Sequence, residues 1–127
     1  MVRYRRCRDN ARYLLASVRL ANGVAGLVAP QVLIRRIEGK REPSPAAIYA
    51  FRLFGIRTVL LGLDLFLSHG DEAQQSLREG VVIHSCDVAT VTLLAIQRRI
   101  SRRTAALLAL ISTGNVALAL SALRSKP

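Results

Sequence analysis

Four apolar stretches, residues 13–34, 46–68, 80–97 and 104–123, have the length of a membrane-crossing helix, and each contains a strongly polar residue. Arg19 lies in the first, Arg57 and Asp64 in the second, His84 and Asp87 in the third, and Asn115 in the fourth. Ionisable groups inside apolar helices are costly to bury, so they are turned inward and paired, and their placement is the strongest clue to function. It names neither a reaction nor a substrate.

The rest of the composition supports helices. Of 127 residues, 51% are apolar but only 5% aromatic, with no Trp, a mixture suited to Leu/Ala/Val helices rather than a β-sandwich. The mean hydropathy of +0.29 averages apolar segments with Arg-dense ends and loops. This length supports one domain. The sequence divides into a basic N-terminal flank (1–12), a four-helix membrane domain (13–123) and a short basic tail (124–127).

Net charge is +11, and the basic residues cluster just outside the apolar runs: Arg3, Arg5, Arg6, Arg8 and Arg12, then Arg35, Arg36, Lys40 and Arg41, then Arg98, Arg99, Arg102 and Arg103. That distribution fits anchoring at anionic lipid headgroups better than nucleic-acid binding. Arg52, near a helix end, joins the anchors by snorkelling. The start resembles the basic region of a signal peptide, but Arg19 interrupts the apolar part and no small-x-small cleavage site follows, so an uncleaved anchor is expected.

The breaks between segments are explicit. RRIEGKREPSP ends the first and offers Ser44 and Pro45 as helix-start residues; HGDEAQQSLREG joins the second and third; RRISRR joins the third and fourth as antiparallel neighbours. For four crossings, the side holding both termini carries eight basic residues and the other side also carries eight. Loop charge therefore fixes no orientation, and only first-segment dominance points to cytoplasmic termini. A first segment lying in the interface, insertion in both orientations and a soluble bundle are the other ways to account for the tie.

At about 1.5 Å per residue from the termini side, Arg19 lies roughly 9 Å deep, Asp64 and His84 roughly 6 Å, Asp87 roughly 10 Å and Asn115 roughly 12 Å. Helical angles place Arg12, Arg19, Gly23, Gly26 and Pro30 on one face, Arg57 above Asp64 on another, and His84 with Asp87 on a third. An up-and-down bundle would thus collect Arg19, Asp64, His84, Asp87 and Asn115 in one inward layer. The main reading is an ion-pair network that fixes helix register; the alternative is a pocket for a ligand or proton relay, with His84 near its mouth. Arg57 leans away from Asp64 and forms a possible second polar site that contacts backbone carbonyls or a partner subunit.

Gly55, Thr58 and Gly62 form a small-residue stripe opposite Arg57 and Asp64. Such a stripe serves either oligomerisation or packing on the first helix, where Gly23 and Gly26 match it. No phosphate loop, metal-ligand spacing, nucleophile elbow or cofactor motif is present. Cys86 and His84, two apart on a helix, point in different directions and make a poor catalytic pair.

Arg52, Gly55, Arg57 and Gly62 on the second segment, with Asp87 on the third, make the chain resemble small actinobacterial four-transmembrane-helix membrane proteins of uncharacterised function. The resemblance spans residues 12–123 and implies a fold without a reaction. The expectation is an all-α, up-and-down four-helix transmembrane bundle in a bacterial inner membrane. Its expected partners are anionic lipids and either further copies of itself or a larger membrane protein. A small proton- or ligand-coupled transporter and a soluble basic bundle that binds nucleic acid or headgroups are the alternatives.

Overall fold

The computed structural model describes residues 2–39 and 42–123, with side chains from residue 9 onward. Five α-helices and no strand occur among them: α1 (Val2–Val28), α2 (Pro30–Glu38), α3 (Pro45–Leu67), α4 (Gly70–Ile96) and α5 (Arg102–Leu123). Lys40, Arg41 and the side chains of Arg3, Arg5, Arg6 and Arg8, all expected as anchors, lie outside the described residues, as does the basic tail.

The expected first segment, 13–34, is not one helix. Pro30 has no N–H for the ladder and its ring clashes with the carbonyl four residues back, so Ala29 leaves helical geometry at φ −129°, ψ 52°. The chain restarts with Pro30 as the first residue of α2, turned by 95° from α1. Gly39, at φ 85°, follows the end of α2.

Three further ends are capped by local chemistry. Ser44 Oγ accepts the Ala47 N–H at 3.1 Å to start α3, and Ser101 Oγ accepts the Thr104 N–H at 3.1 Å to start α5. At the end of α4, the Arg99 N–H bonds the Leu94 carbonyl at 2.9 Å and the Arg98 N–H bonds the Ala95 carbonyl at 3.1 Å. This is a Schellman closure. Its left-handed residue is Arg98, at φ 55°, where glycine is the usual choice.

Helix α4 begins ten residues earlier than the expected 80–97 segment. GDEAQQSLREG is polar, and hydropathy marks it as a connection, yet Glu, Ala, Gln, Leu and Arg are good helix formers. Asp71 and Glu72 in the first turn also oppose the positive end of the helix dipole. The added turns bury Ala73, Ser76 and Leu77.

The chain forms two compact units. One contains Ala16–Leu67: the latter part of α1, α2 and α3. Here Gly23 and Gly26 of α1 face Gly55 of α3, and Leu20 packs on Gly62. Contacts between α2 and α3 complete this unit, with Pro30 and Ile34 buried on α2. The other unit joins α4 and α5, packed along their length as an antiparallel hairpin, with the start of α1 up to Leu15.

Two helices, α4 and α5, are long and apolar enough to cross a membrane, and the bent α1–α2 pair makes a third if it is one span. The described residues are therefore all-α with two to three candidate spans, fewer than the four expected. Helix α3 is not among them and carries Arg52, Arg57 and Asp64.

Candidate functional site

On α1, Arg12, Arg19, Gly23 and Gly26 follow at spacings of seven, four and three and are all buried on one face, whereas Pro30, expected with them, is buried as the first residue of α2, beyond the 95° bend. Arg19 is 1% exposed, and Asp64 supplies the opposite charge that acts on its guanidinium. Both belong to the Ala16–Leu67 unit. Arg19 is thus enclosed in the unit where α1 and α3 approach closely through their glycines.

Helix α3 turns the other way from the expected orientation. Its small stripe of Gly55, Thr58 and Gly62 is buried, whereas Arg57 and Asp64 are exposed. A β-carbon at Gly55 would lie 2.5 Å from the Leu27 backbone nitrogen and one at Gly62 2.9 Å from the Leu20 side chain, so only glycine fits this contact. Close backbone packing thus claims the small face for α1 and sends the charged face outward. Among the described residues, Arg57 makes no hydrogen bond or ion pair.

The other unit holds His84, Asp87 and Asn115. His84 is 9% exposed, and its Nδ1 lies 3.3 Å from Asp87 Oδ2 one turn along α4. Asn115 on α5 is 7% exposed. Counted from the ends that meet at the turn, His84 is roughly 18 Å along α4 and Asn115 roughly 19.5 Å along α5, so the two are level in the hairpin. Of the residues expected in one layer, Arg19 and Asp64 belong to the Ala16–Leu67 unit, and His84, Asp87 and Asn115 to the other.

The expected headgroup anchors also separate. Arg35, Arg36, Arg52, Arg98, Arg99, Arg102 and Arg103 are exposed. Arg12 is not: it is 9% exposed, and its Nη1 donates to the Ser68 carbonyl at 2.8 Å. That guanidinium satisfies a backbone acceptor beside the α4 start instead of a phosphate. A main-chain carbonyl that accepts from a side chain leaves no mark in sequence.

No group of three or more His, Cys, Asp or Glu side chains is placed to hold a metal among the described residues. Cys86 is free and exposed. No family model, curated protein or solved structure matches this chain.

Proposed function

We propose that this chain is a small integral membrane protein of a bacterial inner membrane that acts as an interaction subunit. Its four long helices, α1, α3, α4 and α5, enter the bilayer, and α2 lies along the interface. The observation that carries this reading is the exposed apolar surface on every long helix: Val28 is 75% exposed, Leu67 68%, Ile96 73% and Leu110 71%. Water penalises such a surface, whereas hydrocarbon is its natural solvent. Helix α2 supports the same reading, since Pro30 and Ile34 are buried while Arg35 and Arg36 are exposed to reach headgroups.

The interaction role follows from Arg57. It sits roughly 18 Å from the start of α3, near mid-helix, and is exposed. An arginine at a lipid-facing helix centre costs about 2.5–3.5 kcal/mol on insertion scales, so a polar partner must cover it.

Single cysteines at Leu60, Gln97 and Leu110, in a chain with Cys7 and Cys86 replaced by Ser, test the placement. With a membrane-impermeant maleimide in permeabilised cells, Gln97→Cys labels, and Leu60→Cys and Leu110→Cys do not. Labelling at position 60 as strong as at 97 would remove α3 from the bilayer.

A second reading, a proton- or ligand-coupled transporter, draws on His84, Asp87 and Asn115 at one level of the α4–α5 hairpin. Intramembrane polar groups of this kind mark pathways for protons and ions. Asp87→Asn distinguishes the two roles: normal accumulation with lost proton-linked uptake supports transport, and reduced accumulation supports a structural couple.

A further inference from the structure

The exposed side of α3 has a pattern of its own. Leu53, Arg57, Leu60, Asp64 and Leu67 follow at spacings of four, three, four and three, and all five are exposed. That is the spacing of a heptad seam along which two helices pack, with Leu at one of its two positions and Arg57 and Asp64 at the other. The opposite face of α3, with Gly55, Thr58 and Gly62, is already occupied by α1. The seam contains one cation and one anion, two turns apart and nearly eclipsed, so it is complementary to itself when reversed.

We propose that two copies of this chain pair antiparallel along this α3 seam, so that Arg57 of each copy meets Asp64 of the other. A two-fold axis midway between the two positions forms both ion pairs at once and sets Leu60 near the centre, with Leu53 of one copy beside Leu67 of the other. A parallel pair would instead oppose Arg57 to Arg57 and Asp64 to Asp64 at equal depth, placing like charges together where screening is weak. Asp64 keeps its attraction to Arg19 in its own chain, because a carboxylate accepts from more than one donor.

A second observation agrees independently. Antiparallel pairing in a membrane requires the chain to insert in both orientations, and the eight basic residues flanking each side set no preference between them. This step rests on the four-crossing reading of the preceding subsection; the seam itself does not.

Disulfide cross-linking of the full chain in native membranes tests the pairing. In a background with Cys7 and Cys86 replaced by Ser, Leu53→Cys and Leu67→Cys are expressed separately and together with different tags. The antiparallel seam yields a mixed 53–67 dimer on oxidation and at least tenfold less of either self-linked dimer. Arg57→Glu, which sets two acids against each other, lowers the mixed dimer at least tenfold at unchanged helicity, since Arg57 makes no hydrogen bond or ion pair within its own chain among the described residues. Self-linking at 53, or no dimer in an abundantly expressed and folded chain, overturns the proposal. Extracting the same membranes with alkaline carbonate separates the two failures: a chain that cross-links but washes off retains the seam and loses the membrane reading, and one that stays without cross-linking does the reverse.

Discussion

The backbones of Gly23 and Gly55 meet so closely that a β-carbon at Gly55 would lie 2.7 Å from the Gly23 carbonyl oxygen. This contact fixes which face of α3 is hidden, and so it decides where every charge on that helix goes. Arg57 and Asp64 are outward because the glycines are inward.

Replacing Gly55 by Ala therefore forces α1 and α3 apart, since the obstructing atoms are backbone and cannot rotate away. The expected cost is about 1–3 kcal/mol, read as a lower melting temperature in detergent. Gly114→Ala on α5 is the matched control. Nothing lies within 4 Å of its β-carbon position, and exchange there gains up to about 1 kcal/mol from helix propensity. Equal effects at the two sites would refute the close contact.

Arg12→Gln removes the donor to the Ser68 carbonyl. Loss of a hydrogen bond from a charged group at a buried site lowers stability by about 1.5–3 kcal/mol. Hydrogen exchange at the α4 start should rise in the variant. Unchanged exchange and melting would mean that the guanidinium is held by headgroups instead.

Arg98→Gly should stabilise the chain by roughly 1 kcal/mol, because the α4 closure requires a left-handed residue that glycine adopts without a steric penalty. Thermal unfolding in lipid checks this directly. A destabilised variant would show that the Arg98 side chain contributes more as an anchor than its backbone costs.

Much of this was legible in the sequence. Ser44 and Pro45 mark the start of α3, Gly23 and Gly26 match the small stripe of α3, and the buried face of α1 follows the spacing of Arg12, Arg19, Gly23 and Gly26. Three features were not. Hydropathy hid the first ten residues of α4, whose helicity comes from propensity and dipole rather than apolar content. Face periodicity groups Pro30 with the glycines of α1 and is blind to its power to end that helix. The direction in which α3 turns depends on which of two competing faces, glycine or charge, finds a partner inside the chain, and periodicity treats both alike.

Pro30→Ala tests the break at Ala29. With the N–H restored, α1 and α2 can run on as one helix, and spin labels at Asn22 and Arg36 should move apart by several ångströms. An unchanged distance would place the cause of the 95° bend in the packing of Ile34 rather than in proline.

The most direct measurement is the partition of the expressed chain after alkaline carbonate treatment of isolated membranes. The account predicts that it stays in the pellet and is released only by detergent, because the apolar faces of α1, α3, α4 and α5 are solvated by lipid. Recovery in the carbonate supernatant would contradict it and leave a soluble basic helical protein.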